Sequence, residues 1–225
     1  MKKILFITII SSNLLFSQNT DFEGFMNFSY SDNSGKIHLE VSNLNKEFLY
    51  VNSLSRGIGN NDLGLDRGQL GNTRIVFFSK RGNKILLIQP NTRYISNSDN
   101  YLENKAVEEA FARSVLFSFE IVEEKNNNYI IDLTPFLIND AHGVSQRLRY
   151  SNSGNYSLNK SMSAIELDRT KAFPKNIEFD VILTFTGNPM GNLVRSVTPT
   201  ASNITVNQHH SFVELPDNNY KKRKF

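Results

Sequence analysis

The sequence predicts an α+β fold that is mainly an antiparallel β-sheet with one or two helices. Three observations predict it. Apolar and polar side chains alternate along many segments, as in strands that bury one face. Turn-forming residues join neighbouring segments closely enough for hairpins. In one stretch, a spacing of three and four residues, typical of a helix, replaces the alternation.

Two hairpins are the clearest strand predictions. Residues 22–30 and 37–41 alternate on either side of a turn at 32–35, which reads Asp-Asn-Ser-Gly. Residues 74–79 and 84–89 flank a second turn, Lys-Arg-Gly-Asn, at 80–83. Further strands are predicted at residues 48–54, 119–123, 129–133, 177–186 and 204–215.

Helical spacing appears at two places in the middle of the chain. Leu102, Ala106 and Ala110 belong to an apolar stripe that predicts a helix over about residues 100–118. A second, shorter helix is predicted over about 135–148, where apolar residues can share one face and Pro135 is tolerated in a first helical turn. The Asn- and Ser-rich residues 151–161 are expected to form a surface loop.

The amino-terminal residues predict export. Lys2 and Lys3 precede a mostly apolar run at 4–16, and Ser17 is a small residue suited to cleavage, so residues 1–17 are typical of a signal peptide. Residues 18–225 are then expected to form a single β-rich domain in the periplasm or outside the cell. With no Cys, the chain has no disulfide framework, and no later stretch is long enough to predict a membrane span.

The charge distribution argues against nucleic acid as a partner. The whole chain has 25 basic and 22 acidic residues, but six of the basic ones lie at its two ends. Without Lys2, Lys3 and residues 221–224, the remainder is slightly acidic. The electrostatic attraction that nucleic-acid binding requires is therefore not expected.

Neither a catalytic nor a metal-binding motif is found. A helical zinc site usually has two His residues in a His-Glu-x-x-His motif, which does not occur here. His209 and His210 come nearest to a ligand pair, but adjacent strand residues point to opposite faces, so the two are not expected to bind one metal ion. We therefore predict no catalytic residues and no cofactor in this chain.

Glycine is concentrated in residues 55–71, which read SRGIGNNDLGLDRGQLG. No Gly-Lys-Ser/Thr sequence follows and no helix opens there, so a phosphate-binding loop is not predicted. We expect a structural loop in which Gly57, Gly59 and Gly68 serve the backbone conformation, and in which Asp66 and Arg67 pair with neighbours to fix the loop.

Several strings carry a family resemblance: FLYVNSLSRGIGNNDLGLDRGQLG, RIVFFSKRGNKILLIQPNTRY, SAIELDRTKAFPKNIEFDVILTFTG and VNQHHSFVELPDNNYKKRKF. Together they resemble the amino-terminal region of a family of exported bacterial zinc-dependent metalloproteases with a metzincin-like catalytic domain. In that family the His-Glu-x-x-His helix lies beyond the position where this sequence stops. The resemblance therefore implies a domain truncated before the catalytic region.

The resemblance implies a non-catalytic accessory domain, inactive alone, with zinc in the full-length family but none in this chain. Its expected partner is the missing catalytic domain or a separate chain that carries it. Residues 204–215, with Val206, Phe212, Val213 and Leu215, are expected to form the exposed face that meets this partner. The alternative is a self-sufficient secreted module that binds peptide or glycan through a sheet edge or the glycine-rich loop.

Overall fold

The computed structural model describes residues 19–217, and an antiparallel sheet of twelve strands dominates this part of the chain. The strands are β1 (Asn19–Phe22), β2 (Phe28–Ser31), β3 (Lys36–Val41), β4 (Phe48–Arg56), β5 (Leu70–Arg81), β6 (Lys84–Gln89), β7 (Ser114–Lys125), β8 (Asn128–Asp132), β9 (Gly154–Ile165), β10 (Lys171–Phe173), β11 (Asn176–Pro189) and β12 (Asn203–Glu214). The helices are α1 (Tyr101–Ala110), α2 (Thr134–Leu137) and α3 (Val144–Tyr150), and there are 3-10 turns at Asn61–Leu63 and Leu167–Arg169.

The sheet curls around one core. Its spatial order is β1-β2-β3-β8-β7-β6-β5-β4-β12-β11, and β9 and β10 both pair with the remaining edge of β11. The two ends of this order meet where the amide of Phe25 donates to the carbonyl of Phe173, 2.8 Å away. Phe28 also packs on Phe179, with ring centroids 4.8 Å apart. The inner faces of β2 and β11 therefore share the same core.

Alternation places the core residues, as the sequence predicts. In β4, for example, Phe48, Tyr50 and Leu54 are buried, whereas the residues between them are mostly half-buried. One end of the curled sheet is closed by α2, where the buried Phe136 lies against Tyr50 with ring centroids 5.3 Å apart. None of the helices within residues 19–217 is long and apolar enough to cross a membrane.

The pairing of both predicted hairpins is confirmed, but the first predicted strand, residues 22–30, is interrupted at residues 23–27 between β1 and β2. β2 pairs with β3 in a register that sets Ser31 opposite Lys36, and β5 pairs with β6 with Arg81 opposite Lys84. The sheet is mainly antiparallel, which confirms the coarse fold prediction. The predicted signal peptide at residues 1–17 lies outside the described residues.

Both helix predictions are wrong in extent. α1 ends at Ala110, because the following residues join the sheet as β7, in which Ser114 pairs with Gln89. No residue of α1 is buried, and Leu102 is 69% exposed. The predicted helix over 135–148 is divided into α2 and α3 by a turn in which Gly143 has φ 76°.

Two other expectations are also wrong. Residues 151–161 mostly belong to strand β9 rather than a surface loop, because they pair with the edge of β11 and Tyr156 is buried. The face expected at residues 204–215 is not exposed as a whole, because β12 lies between β4 and β11 and buries both Val206 and Phe212.

Candidate functional site

The adjacent histidines of β12 lie on opposite faces of the sheet, as predicted. His210 points into the core and is fully buried, whereas the side chain of His209 is 26% exposed on the outer face. The antiparallel register sets His209 opposite Asp180 and His210 opposite Asn52. Each histidine therefore has a separate set of partners.

His209 lies between two carboxylates on β11. Its Nε2 is 2.7 Å from Oε2 of Glu178, and its Nδ1 is 3.4 Å from Oδ2 of Asp180. Because a carboxylate oxygen accepts hydrogen bonds, this geometry favours a proton on both ring nitrogens. Hydrogen bonds to Asp180 and Glu178 raise the pKa of His209 to about 9, although burial opposes the shift.

The two carboxylates have further donors. Asp180 is completely buried and accepts from Nδ2 of Asn207 at 3.0 Å and Nε of Arg169 at 3.3 Å. Glu178 accepts from the side chains of Ser211 and Asn176. Burial raises the pKa of each carboxyl group, but hydrogen bonds from His209 and the other donors outweigh burial and hold both pKa values below their usual range.

The hydrogen bonds within this cluster favour the charged form of each of its three titrating groups, His209, Glu178 and Asp180. The hydroxyl of Ser211 donates to Glu178, so Ser211 is not arranged with His209 as nucleophile and base. The cluster joins β11, β12 and the 3-10 turn that contains Arg169. We refer to His209, Glu178, Asp180 and Arg169 as the outer ion-pair cluster.

His210 belongs to a buried polar network. Its Nδ1 is 2.9 Å from the hydroxyl of Tyr50, and its Nε2 is 3.1 Å from the carbonyl oxygen of Leu137 and 2.9 Å from Nε2 of Gln208. Both ring nitrogens therefore have a protein partner in either tautomer. Burial lowers the pKa of His210 to about 4 and raises the pKa of Tyr50. His210 is thus neutral at pH 7.

Gln208 connects this network to the α2–α3 segment. Its Nε2 donates to the carbonyl of Asn139 at 2.8 Å, and its Oε1 accepts from the amide of His142 at 2.9 Å. The His142 ring is buried, and burial and the neighbouring charge of Arg147 lower its pKa. These contacts fix α2 at the end of the sheet.

The glycine-rich loop packs on itself. The amide of Ile58 donates to the carbonyl of Leu65 at 2.8 Å, and a side chain at Gly57 would collide with that same carbonyl oxygen. Gly59 and Gly68 have φ of 77° and 85°, which favour glycine.

The contribution expected of the charged loop residues is not observed. Across residues 19–217, neither Asp66 nor Arg67 forms a salt bridge or a side-chain hydrogen bond; the charge of Asp66 acts on the neighbouring His142, whose pKa it tends to raise. The loop conformation is set by its backbone contacts and by three buried side chains, Ile58, Leu63 and Leu65.

Sequence reasoning missed the partners of both histidines. Glu178 and Asp180 are two residues apart in a predicted strand and so share a face, but only the strand register places them beside His209. Tyr50 lies 160 residues from His210. Among residues 19–217, no group of three or more His, Cys, Asp or Glu is arranged to hold a metal ion.

Comparison with protein families gives one match. The model of a domain of unknown function, DUF5117, matches residues 68–225, which include the outer ion-pair cluster and His210 but not Tyr50. The comparison with curated proteins gave no match, and neither did the comparison with solved structures.

Proposed function

The chain belongs to the DUF5117 family, and we propose that it is a non-catalytic accessory domain of an exported zinc-dependent metallopeptidase. The resemblance of four long segments to the amino-terminal region of such peptidases supports the link to the peptidase. The amino-terminal signal pattern supports a place of action in the periplasm or outside the cell. The expected partner is a catalytic domain that carries His-Glu-x-x-His.

One observation carries the non-catalytic part of the proposal: both ring nitrogens of His209 and of His210 are occupied by protein groups. A histidine binds zinc through the lone pair of a neutral ring nitrogen. His209, with a pKa of about 9, is protonated at pH 7 and has no free lone pair. Zinc would have to displace a proton and break a charge-assisted hydrogen bond.

His210 is no better suited to bind metal or substrate. It is fully buried beneath α2, and its nitrogens connect β12 to Tyr50 and to the carbonyl of Leu137. Metal-assisted hydrolysis needs an activated water and a general base beside the substrate. Both histidines instead support the packing of strands, which fits a domain that acts by contact with another domain.

The first experiment tests the absence of catalysis. In calorimetry at pH 7, residues 18–225 should bind zinc no more tightly than the variant His209→Ala or the control variant His38→Ala, and they should not hydrolyse casein with or without zinc. His38 is a matched control because it is a strand histidine outside both networks. Casein hydrolysis by this chain that is abolished by a chelator would refute the proposal.

The second experiment tests the accessory role. The purified chain is mixed with a separately expressed peptidase domain that carries His-Glu-x-x-His and belongs to the resembled family. Size-exclusion chromatography with light scattering should show a one-to-one complex. Failure to form this complex at tens of micromolar would contradict the accessory role even if the chain proved inactive.

A further inference from the structure

A small cavity lies at the end of the curled sheet opposite α2. β3 runs from α2, where the amide of Ile37 donates to Thr134 Oγ1, to this other end. There the cavity is bounded by residues 24–27 and 40–48 and by Phe78, with a volume of about 240 Å³. Its charged lining residues are Glu40, Lys46 and Glu47. The apolar side chains that line it are Phe25, Met26, Val41, Phe48 and Phe78.

The floor of this cavity, which we call the mouth cavity, is fixed by the core. Phe48 and Phe78 are each 1% exposed and pack with ring centroids 5.3 Å apart. Phe25 meets Phe48 edge-on at 6.3 Å, and its amide is held by the carbonyl of Phe173. The half-buried Phe25 and Met26 above this floor give the cavity accessible apolar surface, which favours an apolar or aromatic group at that side.

A second cavity of about 280 Å³ adjoins the mouth cavity and shares Asn27 and Glu40 with it. Its lining includes two more carboxylates, Asp21 and Glu23, and the imidazole of His38. Glu40 accepts hydrogen bonds from the amides of Asn27 and Asn128, which are neutral donors. We call this the acidic cavity.

The negative charge near the two cavities is not neutralised by the protein. Within residues 19–217, no cationic side chain lies within ion-pair distance of Glu40, Glu23 or Asp21. Lys46, at the rim of the mouth cavity, is paired with Glu214, its Nζ 3.3 Å from Oε1. A cation beside an apolar group therefore complements the pair of cavities in both charge and polarity.

From this geometry we propose that the two cavities form a peptide-binding site, which takes an aromatic or branched apolar side chain in the mouth cavity and an adjacent Lys or Arg side chain in the acidic cavity. The mouth cavity is smaller than the roughly 300–1,000 Å³ typical of drug-sized sites, which suits a single bulky side chain. Two neighbouring subsites of different chemistry suit consecutive side chains of a peptide. This site does not depend on the proposed role beside a peptidase domain.

The test uses fluorescence anisotropy of the labelled peptide Gly-Phe-Lys-Gly with the full chain at low salt. The chain should bind this peptide more tightly than Gly-Ala-Lys-Gly and Gly-Phe-Glu-Gly, and 0.5 M salt should weaken binding. The variants Glu23→Gln and Glu40→Gln should each weaken binding about two- to fivefold, as expected for the loss of a solvent-accessible ion pair. Glu123→Gln, an exposed carboxylate on β7, is the control and should bind as the wild type does.

A blocking variant keeps the test independent of charge. Asn43 lines the mouth cavity but is exposed, so Asn43→Trp can fill the cavity without replacing a core residue. It should weaken binding at least tenfold while retaining the wild-type circular dichroism spectrum. The proposal would be overturned if the wild type bound no peptide, or if it bound the Phe- and Ala-containing peptides equally. It would also be overturned by equal binding of the Lys- and Glu-containing peptides, or by unchanged binding to folded Asn43→Trp.

Discussion

Replacing His209 by Ala should destabilise the fold in a pH-dependent way. The substitution removes the cation between Glu178 and Asp180, and Asp180 is completely buried. The pKa of His209 is raised from 6.5 to about 9, which corresponds to about 3 kcal/mol at about 1.4 kcal/mol per unit. Breaking a buried ion pair by removing one partner costs a similar amount, about 3–5 kcal/mol.

The sign of the pH dependence follows from the direction of each shift. The folded pKa of His209 lies above its unfolded value, so this stabilisation is fully present below pH 6.5 and is lost as pH rises through about 9. The pKa values of Glu178 and Asp180 are lowered, so their stabilisation is present above the unfolded values of 4.5 and 3.8 and is lost as pH falls through the folded values. The cluster should therefore stabilise the fold most between about pH 4.5 and 6.5.

Urea denaturation followed by circular dichroism at pH 6 and pH 10 provides the assay. The free energy of unfolding of the wild type should exceed that of His209→Ala by about 3 kcal/mol at pH 6. At pH 10 the difference should be much smaller, because the wild-type imidazole is then neutral. Adding Asp180→Asn to His209→Ala should recover part of the loss, because it removes a buried charge that has lost one of its two cationic partners and keeps only Arg169. The reasoning would be refuted if the free energies of unfolding of the wild type and His209→Ala differed by less than about 1 kcal/mol at pH 6, or by the same amount at both pH values.

Two further predictions concern the core and the glycine-rich loop. Tyr50→Phe should cost about 1–3 kcal/mol in urea denaturation, because it removes the hydroxyl partner of Nδ1 of the buried His210; a loss within 0.5 kcal/mol would show that this contact does not stabilise the fold. Gly57→Ala should destabilise the fold more than Gly59→Ala does, because a side chain at Gly57 collides with the carbonyl of Leu65. A side chain at Gly59 faces open space, so Gly59→Ala should lower the free energy of unfolding only by about 1 kcal/mol, through the strain of its positive φ. The reverse order of the two midpoints would contradict this account of the loop.

Alternation in the sequence is enough to predict most of the sheet. Strands such as β11 and β12 bury one face and carry polar side chains on the other, so they read clearly as period-two segments. The same periodicity places His209 and His210 on opposite faces. β9 could not be predicted in this way, because much of it is Asn- and Ser-rich and its strand conformation comes from pairing with β11.

The extent of the helices and the partners of the histidines depend on tertiary structure. The helical spacing of apolar residues in α1 continues beyond Ala110, but the residues from Ser114 onward form β7 and pair with β6. Strand pairing therefore overrides the local helical pattern there. The outer ion-pair cluster joins residues about 30 positions apart through a register that no spacing in the sequence specifies.

The most direct test of the central claim is a ¹⁵N NMR titration of the imidazole of His209 with and without zinc. At pH 7 both ring nitrogens should have the chemical shifts of an imidazolium, with a titration midpoint of about 9, and equimolar zinc should leave them unchanged. A midpoint near 6.5, or replacement of the imidazolium signals by those of a zinc-bound ring when zinc is added, would contradict the claim that His209 is protonated and held by Glu178 and Asp180.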